Sequence, residues 1–162
     1  MNSKEVKLKA NELNILLWKK LEKMNRIFEI TELQKKDLES NDGEDLSNLL
    51  DLRQAAMNEV DEIDMKFLDG FSELKEVLNV KDLSGVSATE YPVIGNLKTK
   101  ISGINDLANR ILVTEKENEL MLAEKMESVQ REISLVRKGK QGIKAYGSKI
   151  QSNDGYYIDK KK

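Results

Sequence analysis

The chain has 162 residues, 35% of them charged and 5% aromatic, with one Pro and no Cys or His. That composition suits a single domain of long, water-facing helices. It excludes disulfides, thiolate metal sites and a Cys nucleophile, and with them the commonest general base and transition-metal ligand. The net charge of −2 is unevenly spread. Residues 137–162 carry eight basic and two acidic side chains, and residues 1–136 carry 19 basic and 27 acidic ones. The basic end therefore reads as a separate physical unit. The opening Met-Asn-Ser-Lys-Glu-Val-Lys has no apolar run of signal-peptide length, and no stretch approaches the ~18 apolar residues of a membrane span. A soluble, cytoplasmic chain without membrane insertion is expected.

Three periodic segments follow in order. From about 4 to 38, Val6, Ala10, Leu13, Leu17, Leu21, Met24 and Phe28 recur at alternating spacings of three and four, which places them on one helix face. Leu16, Ile27 and Ile30 widen that face. The run Glu39-Ser40-Asn41-Asp42-Gly43-Glu44-Asp45 is rich in turn formers, and Asp45 or Ser47 is suited to cap the next helix. From about 46 to 78 the apolar positions are Leu46, Leu49/Leu50, Met57, Val60, Ile63, Phe67, Phe71, Leu74 and Leu78. Arg53 interrupts them at the edge, its head expected in water or paired with an acid, with a partner contact as the competing reading.

Residues 79–91 form a connector rich in Ser, Gly and Thr. Pro92 suits the first turn of a helix, where its missing N–H costs nothing. From about 93 to 137 the stripe is Ile94, Leu97, Ile101, Ile104, Ala108, Ile111, Glu115, Asn118, Leu122, Met126, Val129, Ile133 and Val136. Its polar interruption at Glu115 and Asn118 either sets register in a bundle or marks where the helix leaves it. Gly139, Gly142, Gly147 and Gly155 then oppose a stable helix. The expected organisation is all-α: a body over 1–137 of three long antiparallel helices, packed as a bundle in the manner of a coiled coil, and a mobile basic tail over 138–162.

Candidate chemistry is sparse. No Walker loop, G-x-G-x-x-G, H-E-x-x-H or G-x-S-x-G occurs. Gly139-x-x-Gly142 lacks the flanking strands of a KH loop. Asp61, Glu62 and Asp64 read as a solvated helix face, and Asn41–Asp45 lacks the ligand register of a calcium loop. Catalytic residues, metal ligands and cofactors are all expected to be absent. The lysines and tyrosines of the tail suit phosphates and bases, but the acidic body weighs against a nucleic-acid partner. The tail also lacks the continuous apolar face that a membrane surface requires. The informative feature is the late third stripe, which continues through Val129, Ile133, Val136, Ile143 and Tyr146 beyond what two helices can cover. Soluble monomers seldom leave such a stripe bare. Self-association and capture of another protein's amphipathic helix both satisfy it.

Three stretches resemble the FlgN-like flagellar export chaperones. The second segment has Leu49-Leu50-Asp51-Leu52-Arg53-Gln54 followed by Val60, Ile63 and Phe67. The third has Asn118-Glu119-Leu120-Met121-Leu122. The tail has Ala145-Tyr146-Gly147 and Tyr156-Tyr157-Ile158-Asp159-Lys160-Lys161. FliT-like chaperones are similar in size and architecture. The resemblance implies a cytoplasmic chaperone that binds the C-terminal helical region of hook–filament junction proteins, the hook-associated proteins, prevents their early association and passes them to the flagellar type III export gate. It assigns gate docking to Tyr146, with Tyr156 and Tyr157 as additional aromatic residues nearby. Leu122, Met126, Val129, Ile133, Val136 and Ile143 are then the cargo anchors, and self-association is at most weak. The competing reading is a self-associating structural coiled-coil protein or a general helical adaptor.

Overall fold

The computed structural model describes residues 3–150, with side chains through residue 145. It contains three helices, α1 (Ser3–Ser40), α2 (Leu46–Leu78) and α3 (Pro92–Ile150), and no strand among the described residues. The first two match the periodic segments to within two residues. Pro92 opens α3 at the position where a proline is tolerated. The third helix runs on to Ile150 instead of ending near 137. Gly139 and Gly142 lie inside it with nothing within 4 Å of a Cβ built at either. Each glycine costs about 1 kcal/mol of helix propensity. Both sit singly among Lys, Gln and Ile, without a proline to end the helix.

Two compact units divide the chain, the first ending at Asn118 and the second beginning at Glu119. In the first unit, α2 runs antiparallel to α1. Lys9 pairs with Glu73 at 2.8 Å, Lys20 with Asp64 at 2.6 Å and Lys23 with Glu59 at 2.6 Å, so partner numbers fall along α2 as they rise along α1. Hydrogen bonds to Glu73 and Glu59 hold Lys9 and Lys23 above their ordinary pKa. The part of α3 in this unit runs parallel to α1. Asn14 Nδ2 donates to the Val93 carbonyl (3.5 Å), the Thr114 hydroxyl to Glu32 (3.1 Å), and Lys35 pairs with Glu117 at 2.8 Å.

The apolar core lies between these helices in two clusters. One joins Val6, Ala10, Leu13 and Leu17 to Leu74 and Leu78, and to Ile94, Leu97 and Ile104. The connector contributes to it through the buried Leu83. The other joins Ile27 to Ala56, Val60, Leu107 and Ile111. At Gly70 the backbone of α2 comes so near α1 that a Cβ would lie 2.8 Å from Leu13 Cδ2.

The connections are held by backbone geometry and by carboxylates, Asp37 before α2 and Asp82, which accepts from the Ser84 N–H at 2.8 Å, before α3. Asp37, buried near the end of α1, accepts hydrogen bonds at Oδ1 from Asn41 Nδ2 (3.1 Å) and from the Asp45 N–H (3.2 Å). Asp45 takes the N-cap position of α2, but its own carboxylate makes no capping bond. At the other end of α2, Asn79 is left-handed (φ 55°), and the Val80 N–H reaches back to the Lys75 carbonyl at 3.0 Å. That is the bond pattern of a Schellman stop.

Next to the second apolar cluster lies a polar layer. Thr31 has no exposed surface, and its hydroxyl donates to the Ile27 carbonyl at 2.7 Å. Arg53 Nε donates to that hydroxyl (3.4 Å), and its terminal nitrogen pairs with Glu115. Asn118 Nδ2 donates to the Thr31 carbonyl at 3.1 Å. Burial lowers the pKa of Arg53, which remains charged at neutral pH. All three helices thus contribute to the layer around Thr31, and the pairing fixes how they align.

Replacing one member of this layer leaves a half-buried charge unmatched. Arg53→Ala is expected to cost about 1–3 kcal/mol in urea unfolding, and Arg53→Met with Glu115→Met to recover most of the loss. Two of the helical glycines, Gly103 and Gly70, give opposite signs in the same assay. Gly103 is exposed with open space around it, so Gly103→Ala gains up to about 1 kcal/mol. Gly70→Leu loses about 1–3 kcal/mol, because the tightly packed Leu13 has no room to give way.

Candidate functional site

In the first unit, α3 buries Ile94 and Leu97, and from Ile104 onward its buried positions run Ile104, Leu107, Ile111, Thr114 and Asn118, at spacings of three and four. Leu107 and Thr114 carry this register, where periodicity alone had pointed to Ala108 and Glu115. Continued in sequence, it falls on Met121, Lys125, Ser128 and Glu132, so it turns polar after Met121. A second apolar recurrence sits one position later, at Leu122, Met126, Val129, Ile133 and Val136, while Leu135 stays on the first. The single third-helix stripe read from sequence is therefore two stripes in different registers.

In the second unit, Leu122, Val129, Val136 and Ile143 recur every seven residues. Such a repeat is the seam of a left-handed coiled coil. All six expected anchors are exposed: Leu122 at 38%, Met126 at 57%, Val129 at 53%, Ile133 at 46%, Val136 at 56% and Ile143 at 58%. No described residue from Glu119 onward is buried. The structure thus brings the anchors together as one continuous seam without covering them. The backbone of Tyr146 belongs to α3; its side chain, and Tyr156 and Tyr157, lie outside the described residues.

Charge is graded along this seam. Residues 119–132 hold Glu119, Glu124, Glu127 and Glu132 against Lys125 and Arg131, whereas residues 133–145 hold four basic side chains and no acid. The pair Glu127–Arg131, at 3.7 Å and about 70% exposed on both sides, adds little to stability. The arrangement offers a hydrophobic strip with a basic end, and it is suited to binding.

Three polar residues flagged from sequence have a settled place in the first unit. Arg53 is paired with an acid, and Glu115 and Asn118 belong to the layer that sets register. Sequence reasoning passed over the outer face of α1, where Leu8, Ile15 and the sole tryptophan, Trp18, are all exposed. Their spacing of seven and three was a legible signal off the main stripe. Among the described residues, no helix is long and apolar enough to cross a membrane.

If the seam is open, charging it costs the fold nothing. Val129→Asp with Ile133→Asp is expected to leave the unfolding free energy within about 0.5 kcal/mol of wild type. Ile111→Asp, which puts a carboxylate in the core, is expected to unfold the first unit at room temperature. Circular dichroism during urea titration distinguishes the two.

A family model described as FlgN protein matches residues 1–154 of the chain. No curated protein and no solved structure matches it.

Proposed function

The chain belongs to the FlgN family of flagellar export chaperones, and we propose that in the cytoplasm it binds the C-terminal helical region of hook–filament junction proteins, prevents their premature association and delivers them to the type III export gate. The observation that carries this reading is the open seam from Leu122 to Ile143. A cargo helix with an apolar stripe is prone to associate too early. Laid along the seam, it exchanges water-exposed apolar surface for contact, at roughly 25 cal/mol for each Å² buried. No bond is made or broken in this exchange, so the proposed activity is binding without catalysis.

Within this reading Tyr146 serves the gate, not the cargo. It follows Ile143, the last anchor, by one helical turn. A tyrosine there offers an aromatic face and a hydroxyl to a second partner.

Pull-down of hook–filament junction proteins on the immobilised full chain tests the proposal. Wild type is expected to retain cargo, and Val129→Asp with Ile133→Asp to weaken retention at least tenfold, because two apolar contacts are replaced by unpaired charges. Removal of residues 137–162 deletes Ile143 and is expected to weaken retention as well. Tyr146→Ala is expected to retain cargo normally and to lose export in cells. Failure of the wild-type chain to retain any junction protein overturns the functional reading. A stable cargo-free dimer in sedimentation, dissolved by the seam substitutions, supports the structural coiled coil instead.

A further inference from the structure

One residue of the seam does not suit an apolar partner. Met126 and Ile133 recur at seven residues, and the next position in that series is Lys140. Lys140 is half-buried while its described neighbours on either side are exposed, so its stem lies along the helix surface. A charged side chain at a core position of a heptad repeat lowers affinity and selects partner and register. Around it, Arg137, Lys138 and Lys144 add charge of the same sign, with no acid between residues 133 and 145.

A second copy of the chain answers this charge poorly. A parallel pair sets Lys140 against itself. An antiparallel pair overlapping fully over residues 122–143 sets it directly against Lys125, with Glu124 and Met126 on either side. A plain apolar helix would bury the ammonium group without a partner, at a substantial desolvation cost.

We infer that the occupant of the seam is an acidic amphipathic helix, one that places a carboxylate opposite Lys140 and further carboxylates beside Arg137 and Lys144. The inference rests on the reading of the seam as a helix-binding surface and adds the rule by which it selects. The apolar positions supply affinity, and the lysine among them rejects helices that lack an acid in register. Release is then sensitive to salt, because part of the recognition is electrostatic.

Two synthetic fluorescein-labelled helices, alike in their leucine heptads, test the rule against the full chain by anisotropy. One carries Glu at a core position and at two flanking positions; the other carries Gln at all three. The Glu helix is expected to bind about tenfold more tightly at 50 mM salt, and the ratio to fall toward one at 1 M salt. Lys140→Glu, a change outside the apolar clusters of the first unit, is expected to reverse the preference. Lys140→Met is expected to tighten binding of the Gln helix. Equal binding of the two helices by wild type, or a preference unchanged in Lys140→Glu, overturns the acidic-partner rule and leaves the seam as a helix site. Binding of neither helix overturns the helix site itself. A cargo-free dimer that Ile133→Asp dissolves assigns the seam to a second copy and overturns the rule.

Discussion

The ion pair of Arg53 with Glu115, seated against the buried Thr31 hydroxyl, is the constraint on which the first unit depends. Apolar side chains tolerate sliding, because one leucine contact resembles the next. A charge pair inside a bundle does not, since displacement of either partner leaves both half-desolvated and unmatched. One helix supplies Thr31, the second Arg53 and the third Glu115 and Asn118, so a shift of any helix past the others breaks the layer. The two apolar clusters stabilise the association of these helices; the polar layer selects one alignment from several that hydrophobic contact alone would allow.

Asn118 also closes the register that runs from Ile104. Past it, the apolar positions move by one residue, and in the second unit they remain exposed. A stripe in continuous register would be ambiguous between core and binding surface. The offset separates the tasks: residues that hold the first unit together are not those the second unit offers to a partner. Changes to the seam can therefore alter recognition with little effect on folding. An exposed apolar strip invites aggregation, and basic residues among its later positions make indiscriminate contact less favourable.

Much of the fold was legible because helical periodicity is a strong signal. Turn formers at 41–45, Pro92 before a periodic run and the alternating threes and fours of α1 reflect local chemistry that packing did not override. The end of α3 was less legible. Gly139, Gly142 and Gly147 weigh against a helix when counted by composition, but their cost is small beside the propensity of their neighbours. The register shift was hidden for a related reason: a stripe spaced by threes and fours absorbs an extra residue without losing its appearance, and only burial distinguishes Leu107 from Ala108. The expected anchors form one exposed group. Lys140 shares the seven-residue recurrence of Met126 and Ile133 but was passed over, because a charge does not register in a search for apolar recurrence.

The exposure of Trp18 has an optical consequence. The chain has one tryptophan, and 63% of its surface is in water in the folded state. Its indole emission resembles that of the unfolded chain, so melting of the bundle is nearly silent in that channel. The same ring brightens or shifts when something settles on the outer face of α1, which makes it a native dye for one surface and a poor thermometer for the interior.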